Sequence, residues 1–152
     1  MMAAAADRAT LSDVVHRYAA GVDDRQFDAV VALFTETAEL ILPDPPASLE
    51  PVHRHRGRTE IGAAIAGVAT VTRTEHAIVG EVYLDGAPPG TAHGRVACIA
   101  HHWSQHADQL TDVVWHVRYD DDYRLTDAGW RIDRRALTVN AIETRPVRRL
   151  RF

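Results

Sequence analysis

From Leu11 onward the apolar residues recur at Leu11, Val14, Val15, Tyr18, Ala19 and Val22. That spacing is one stripe of an amphipathic helix, and Thr10 or Ser12 can cap its start. A second, short helix follows, in which Phe27, Val30, Val31 and Phe34 repeat the spacing. Between the two lies the polar corner Asp23-Asp24-Arg25-Gln26, with Asp24 suited to cap the second helix. Residues 37–42 read as a strand. Pro43, Pro45, Pro46 and Pro51 predict a loop after it, because proline has no N–H to give a ladder. Residues 58–68, rich in Ala and Ile with Thr59 near their start, predict a third helix. The period then falls to two, with strands predicted over 73–84, 92–105, 110–124 and 130–142 and turns at 85–90 and 126–129.

Helices followed by hairpin-linked strands predict an α+β domain. A chain of 152 residues is one domain, 1–152, with 1–8 and 145–152 expected as tails. At this length about two-thirds of the surface can be buried. Long antiparallel strands with one helical layer should curl around it and leave a concave pocket, the default ligand site.

Composition narrows the functions. The 17 basic residues are all Arg, against 21 acidic ones, for a net charge of -4. Without Lys, Schiff-base and Lys general-base chemistry are excluded, and mild acidity argues against nucleic acid. The basic cluster Arg145, Arg148, Arg149 and Arg151 reads as a solvated or dimer-contacting tail. Cys98 is the one cysteine, which forbids an intramolecular disulfide and fits a reducing cytoplasm. The apolar start 1–6 is followed at once by Asp7 and Arg8, unlike a signal peptide. No apolar run approaches the ~18 residues of a membrane span. The expectation is a cytoplasmic protein with neither membrane nor nucleic-acid partners.

Two residues stand out as candidate chemistry. Asp23 lies at the edge of the first helix's apolar stripe, where it is either solvated or pointed into the pocket mouth. His76 lies on the strand 73–84. Alternation sets His76, Ile78 and Val82 on one face and Glu75, Ala77, Val79 and Glu81 on the other. A carboxylate partner would fix the His76 tautomer and free its second nitrogen as a base; the alternative is a structural histidine bonded to backbone. His53 and His55, and His101, His102 and His106, lack metal-ligand spacing, so no metal is expected. Cys98, between Ala97 and Ile99, reads as a buried thiol. No nucleophile elbow, P-loop or dinucleotide fingerprint occurs.

The run Tyr18-Ala-Ala-Gly-Val-Asp23-Asp-Arg-Gln-Phe-Asp28, followed by Val30-Val31-Ala32-Leu33-Phe34, resembles the opening of the SnoaL-like branch of the NTF2-like superfamily. His55-Arg-Gly57-Arg58-Thr-Glu-Ile61 resembles that superfamily's entry to its third helix. Tyr123-Arg-Leu-Thr-Asp-Ala-Gly129-Trp130-Arg131-Ile132, with Arg134 after it, resembles its last hairpin. The resemblance implies a cone-shaped α+β barrel: three N-terminal helices on a strongly curved antiparallel sheet, often homodimeric through the sheet's outer face.

Two members, hexachlorocyclohexane dehydrochlorinase and scytalone dehydratase, use an Asp at the end of the first helix and a His on the strand after the third. The resemblance carries these onto Asp23 and His76, and offers His101 and Tyr119 as pocket-lining residues. Val22 stands where scytalone dehydratase has a tyrosine. The implied activity is a cofactor-independent lyase or isomerase: a dehydratase, dehydrohalogenase or cyclase that takes a carbon-bound proton from a small apolar or polycyclic substrate. Tyr18, one turn before Val22, could donate to a developing enolate. Two other readings stay open. One is a ketosteroid-isomerase-like site using Tyr18 and Asp44; the other is a non-catalytic ligand-binding or dimerisation module.

Overall fold

The computed structural model describes residues 1–152, the side chains of Ala5 and Ala6 excepted. The elements run α1 (Ala5–Asp23), α2 (Phe27–Val31), β1 (Phe34–Asp44), β2 (Ser48–Arg56), α3 (Gly57–Ala66), a single 3₁₀ turn (Gly67–Thr70), β3 (Arg73–Asp85), β4 (Thr91–His106), β5 (Gln109–Thr126) and β6 (Gly129–Pro146). The strands form one six-stranded sheet in the order β2-β1-β6-β5-β4-β3. The sheet is strongly curved but not closed, and the architecture is the expected α+β one. Of the five neighbouring pairs, four are antiparallel and β1–β6 is parallel. The expected antiparallel sheet thus includes one parallel neighbour.

The apolar stripe of α1 is buried along its length, from Leu11 to Val22. The helix nevertheless begins at Ala5, and its N-cap Ala4 makes no side-chain cap bond, so Thr10 and Ser12 lie inside it. Alanine propagates helix well enough to carry the extra turn. That turn is anchored from outside: Trp130 Nε1 donates to Asp7 Oδ1 at 3.1 Å. Ahead of it, Ala3 N–H donates to Tyr83 O at 3.2 Å and Asp85 N–H to Met1 O at 3.1 Å. The stretch expected as an N-terminal tail therefore lies along β3. At the other end, Arg73 Nε donates to Arg151 O at 2.9 Å, so that terminus is also tied to the sheet.

The second helix stops at Val31, its N-cap is Gln26 and not Asp24, and Phe34 is a fully buried first residue of β1. Gly21 lets α2 approach α1, since a Cβ there would meet Val30 Cγ2 at 2.6 Å. The proline stretch is also corrected. Only its tip is a turn, and β2 pairs antiparallel with β1, Leu40 opposite His55 and Leu42 opposite His53. Because β2 is an edge strand, Pro51 is tolerated there without the loss of a shared ladder bond.

Three bulges in β3 and β6 break the period of two, besides the register shifts of β1 against β2 and β6. Val79 in β3 and Asp133 and Asn140 in β6 are extra residues, since Ile78 and Gly80 face Cys98 and Ala97, Ile132 and Arg134 face Tyr123 and Asp122, and Val139 and Ala141 face Val117 and His116. One extra residue sends the rest of the strand to the opposite face. Val82, expected inside with His76, is therefore 51% exposed, while Tyr83 is 3% exposed.

The bulge at Asp133 turns Arg135 inward to 0% exposure. Its Nε and Nη2 donate to Asp121 Oδ1 and Oδ2 at 2.8 and 2.7 Å. The guanidinium carbon lies 4.3 Å from the ring centre of Tyr18 and 4.1 Å from that of Tyr119. Tyr123 adds a hydrogen bond from its hydroxyl to Asp121 Oδ2 at 2.5 Å. Gly94 makes room for that ring, because a Cβ there would meet Tyr123 Cε2 at 2.8 Å. Arg135→Ala would leave the Asp121 carboxylate buried and unpaired, an expected cost of about 3–5 kcal/mol in urea unfolding. Arg134→Ala, one position away on the other face, should stay within about 0.5 kcal/mol of wild type.

Candidate functional site

The curvature leaves a cavity of about 310 Å³ between the sheet and the end of α1, α3 and the turn after it. Its walls are aliphatic, with Val22, Leu40, Leu42, Ile65, Val68 and Leu137 among them. Tyr18, His76, His102 and Trp115 also line it, and no carboxylate or guanidinium does among the described residues.

The structure brings Asp23 and His76 together at this wall. Asp23 is the last residue of α1, and β3 passes beside it. His76 Nδ1 lies 2.6 Å from Asp23 Oδ1. His76 backbone N–H donates to Asp23 Oδ2 at 2.8 Å, and Thr74 Oγ1 donates to Oδ1 at 3.0 Å. The side chains are 10% and 20% exposed for His76 and Asp23. An ionised carboxylate only accepts, so Nδ1 carries the proton in this bond, and in the neutral ring Nε2 is the nitrogen with the lone pair. Nε2 has no hydrogen-bond partner among the described residues.

Partial burial pushes the Asp23 carboxyl up. The ring and backbone hydrogen bonds from His76, the His76 charge and the Thr74 hydroxyl together outweigh it and hold the group below its ordinary 3.8. A depressed acid stabilises the fold at pH above its unfolded value and loses that contribution as pH falls through the folded one. The stability gap between wild type and Asp23→Asn should therefore be full above about pH 4 and close on acidification below it, as urea unfolding across pH would read.

The other expected residues fall differently. Tyr18 lines the cavity, and burial, the largest influence, pushes its hydroxyl up so that it stays protonated. Tyr119 does not line it. It is buried in the core, edge-on to Tyr18 with ring centres 6.1 Å apart. His101 is on the opposite face of the sheet, its Nδ1 2.6 Å from Asp112 Oδ2 and its ring stacked on Trp103. Asp44 is 56% exposed at the end of β1, 3.4 Å from His53 Nε2. It lies outside the cavity, so the Tyr18/Asp44 arrangement does not form.

His102 is the residue missed. Its Nδ1 donates to Val113 O at 2.8 Å, and its ring centre is 6.3 Å from that of His76. Burial above all, with the charges of His76 and His101, lowers its pKa against the opposing Val113 bond and Asp112 charge. It is thus held neutral with Nε2 as an acceptor. The alternation on β4 pointed to it: Val96, Cys98 and Ala100 are buried, and His102 continues that face.

The SnoaL-like domain model matches residues 3–136. Among curated proteins none matches significantly. Solved structures share the fold. A candidate scytalone dehydratase from Novosphingobium aromaticivorans is 20% identical with a TM-score of 0.74, over 91% of this chain and 87% of that one. A type 3 hexachlorocyclohexane dehydrochlorinase from Novosphingobium barchaimii is 15% identical with a TM-score of 0.73, over 97% and 94%. The Kfla4162 protein from Kribbella flavida is 25% identical with a TM-score of 0.76, over 91% and 93%. With a family match that spans most of its length and a sheet and helices arranged as in these structures, the chain belongs to the SnoaL-like family of NTF2-like domains.

Proposed function

We propose that this protein is a cofactor-independent lyase or isomerase in which His76 takes a proton from carbon and Asp23 orients it. One observation carries the reading: a histidine bonded through Nδ1 to a carboxylate at 2.6 Å lines an apolar cavity with its Nε2 unengaged. Nε2 is the base. The carbon-bound proton moves to it, and the C–H electron pair forms an enolate beside a carbonyl or a double bond as a β-leaving group departs. Asp23 stabilises the imidazolium that forms, as the acid of a hydrolase triad does. Return of the proton to carbon completes an isomerisation; its transfer to departing hydroxide completes a dehydration. Aliphatic walls exclude water and strengthen both interactions.

The cavity's volume is at the small end of ligand pockets, ~300–1,000 Å³, which suits a substrate of one or two rings. No charged side chain lines it, which suits a neutral substrate. His102 Nε2 offers an acceptor for a substrate hydroxyl. The dehydratase and dehydrochlorinase named among the similar structures support elimination as the reaction class.

The test is proton NMR in D₂O with β-tetralone as a carbon-acid probe, alongside cyclic ketones bearing a β-hydroxyl or β-halogen. Wild type should accelerate deuterium incorporation or elimination. His76→Ala and Asp23→Asn should each lower that rate by about 10² to 10⁴-fold. Equal rates in wild type and His76→Ala would sink the proposal. Tight binding of the probes with no exchange would make the domain a ligand-binding module.

A further inference from the structure

Arg25 is built into the loop after α1 at an unusual cost to the backbone. Its φ is 60°, a left-handed conformation that non-glycine residues seldom adopt. That conformation sends a half-buried guanidinium across to the start of β3. No carboxylate lies within ion-pair distance of it among the described residues. Its donors go instead to three acceptors: Nη1 to Val22 O at 3.1 Å and to Thr74 Oγ1 at 2.9 Å, and Nη2 to Val71 O at 2.9 Å.

Thr74 relays between a group that only donates, Arg25, and one that only accepts, the ionised Asp23. Thr74 is buried, and its hydroxyl has one proton and two lone pairs. With an Arg25 N–H on one lone pair, the hydroxyl proton is directed to Asp23 Oδ1, 3.0 Å away. The same oxygen receives His76 Nδ1–H at 2.6 Å. The result is a one-way chain: Arg25 donates to Thr74, Thr74 to Asp23, and His76 to Asp23. Such a chain polarises its members together. Through Val22 O and Val71 O the same guanidinium also joins the end of α1 to Val71, a residue of the cavity wall.

We propose that Arg25 is a positioning residue for the Asp23–His76 pair, acting through Thr74 to hold the carboxylate as the acceptor of the imidazole proton. It touches no substrate. The proposal rests on the reading of that pair given above, and it goes beyond it by assigning the orientation of Asp23 to a residue outside the cavity.

The test uses Arg25→Met, Arg25→Lys, Thr74→Val and Thr74→Ser, with Asp23→Asn as reference. Two readouts need no substrate: the far-downfield NMR signal of the His76 Nδ1–H, and the titration of the Asp23 carboxyl. In Arg25→Met, Arg25→Lys and Thr74→Val the ring signal should broaden or vanish and Asp23 should titrate at higher pH. Thr74→Ser should match wild type. A lysine keeps the charge and has three N–H donors, but they radiate from one nitrogen and cannot span acceptors that Arg25 reaches from Nη1 and Nη2. With β-tetralone, kcat for exchange should fall roughly tenfold in Arg25→Met and Thr74→Val, with KM changed less than about twofold. The double variant should be no worse than Thr74→Val alone.

Arg25→Lys behaving as wild type would overturn the proposal, because charge alone would then suffice. So would variants of Arg25 and Thr74 that lower the melting temperature while the ring signal and Asp23 titration stay put, since Arg25 would then be only a brace. Failure of the functional reading looks different: His76→Ala would exchange as fast as wild type while the Arg25 and Thr74 variants still disturbed the ring signal.

Discussion

The rest of this molecule is organised around one charge that is not in water. Arg135 is fully buried, bonded bidentately to Asp121 and enclosed by the rings of Tyr18 and Tyr119. A desolvated ion pair tolerates little displacement, because either partner left alone costs more than the pair contributes. Asp121 and Arg135 face each other directly across β5 and β6, so their bonding fixes that register. Tyr18 over the guanidinium fixes α1 against the sheet. Five residues further along the same helix, Asp23 arrives beside β3 and His76. The placement of the candidate site is in this sense a consequence of a core ion pair that is no part of it.

The same arrangement separates charge from the cavity. Arg135 is neutralised by Asp121 below Tyr18, and Asp23 has both oxygens occupied by Thr74 and by the ring and backbone of His76. What lines the cavity is an imidazole on each of two strands, the rings of Tyr18 and Trp115, and aliphatic carbon. The proposed proton transfer from a weak carbon acid demands an apolar enclosure of this kind around a carboxylate-bonded histidine. Arg25, at the helix end, ties the loop, the start of β3 and the cavity wall into one hydrogen-bonded unit.

Much of this was legible before any coordinate. The stripe from Leu11 to Val22 predicted α1, and the alternation on β4 is kept in the buried Ala92, Val96, Cys98 and Ala100. Local signals failed where a neighbour overrode them. The proline stretch hid β2, because nothing in its residues says that the strand will be an edge. The helix start at Ala5 depends on Trp130, far away in the chain. The family resemblance points to His101 as a cavity residue, whereas its neighbour His102 continues the inward face of β4 and lines the cavity.

By itself the sequence determined the α+β class, the order of helices and long strands, and the two residue types, Asp and His, at the positions that meet. Those follow from periodicity and from a motif read over short distances, where each residue's preference is set by its immediate neighbours. Only the tertiary structure decided which side chains face inward after Val79, Asp133 and Asn140. A bulge is a property of two strands in register, and it reverses every later residue of the strand. For that reason Arg135 is inside and Arg134 is not, Tyr83 is buried and Val82 is exposed, although within each pair the residues are adjacent in sequence.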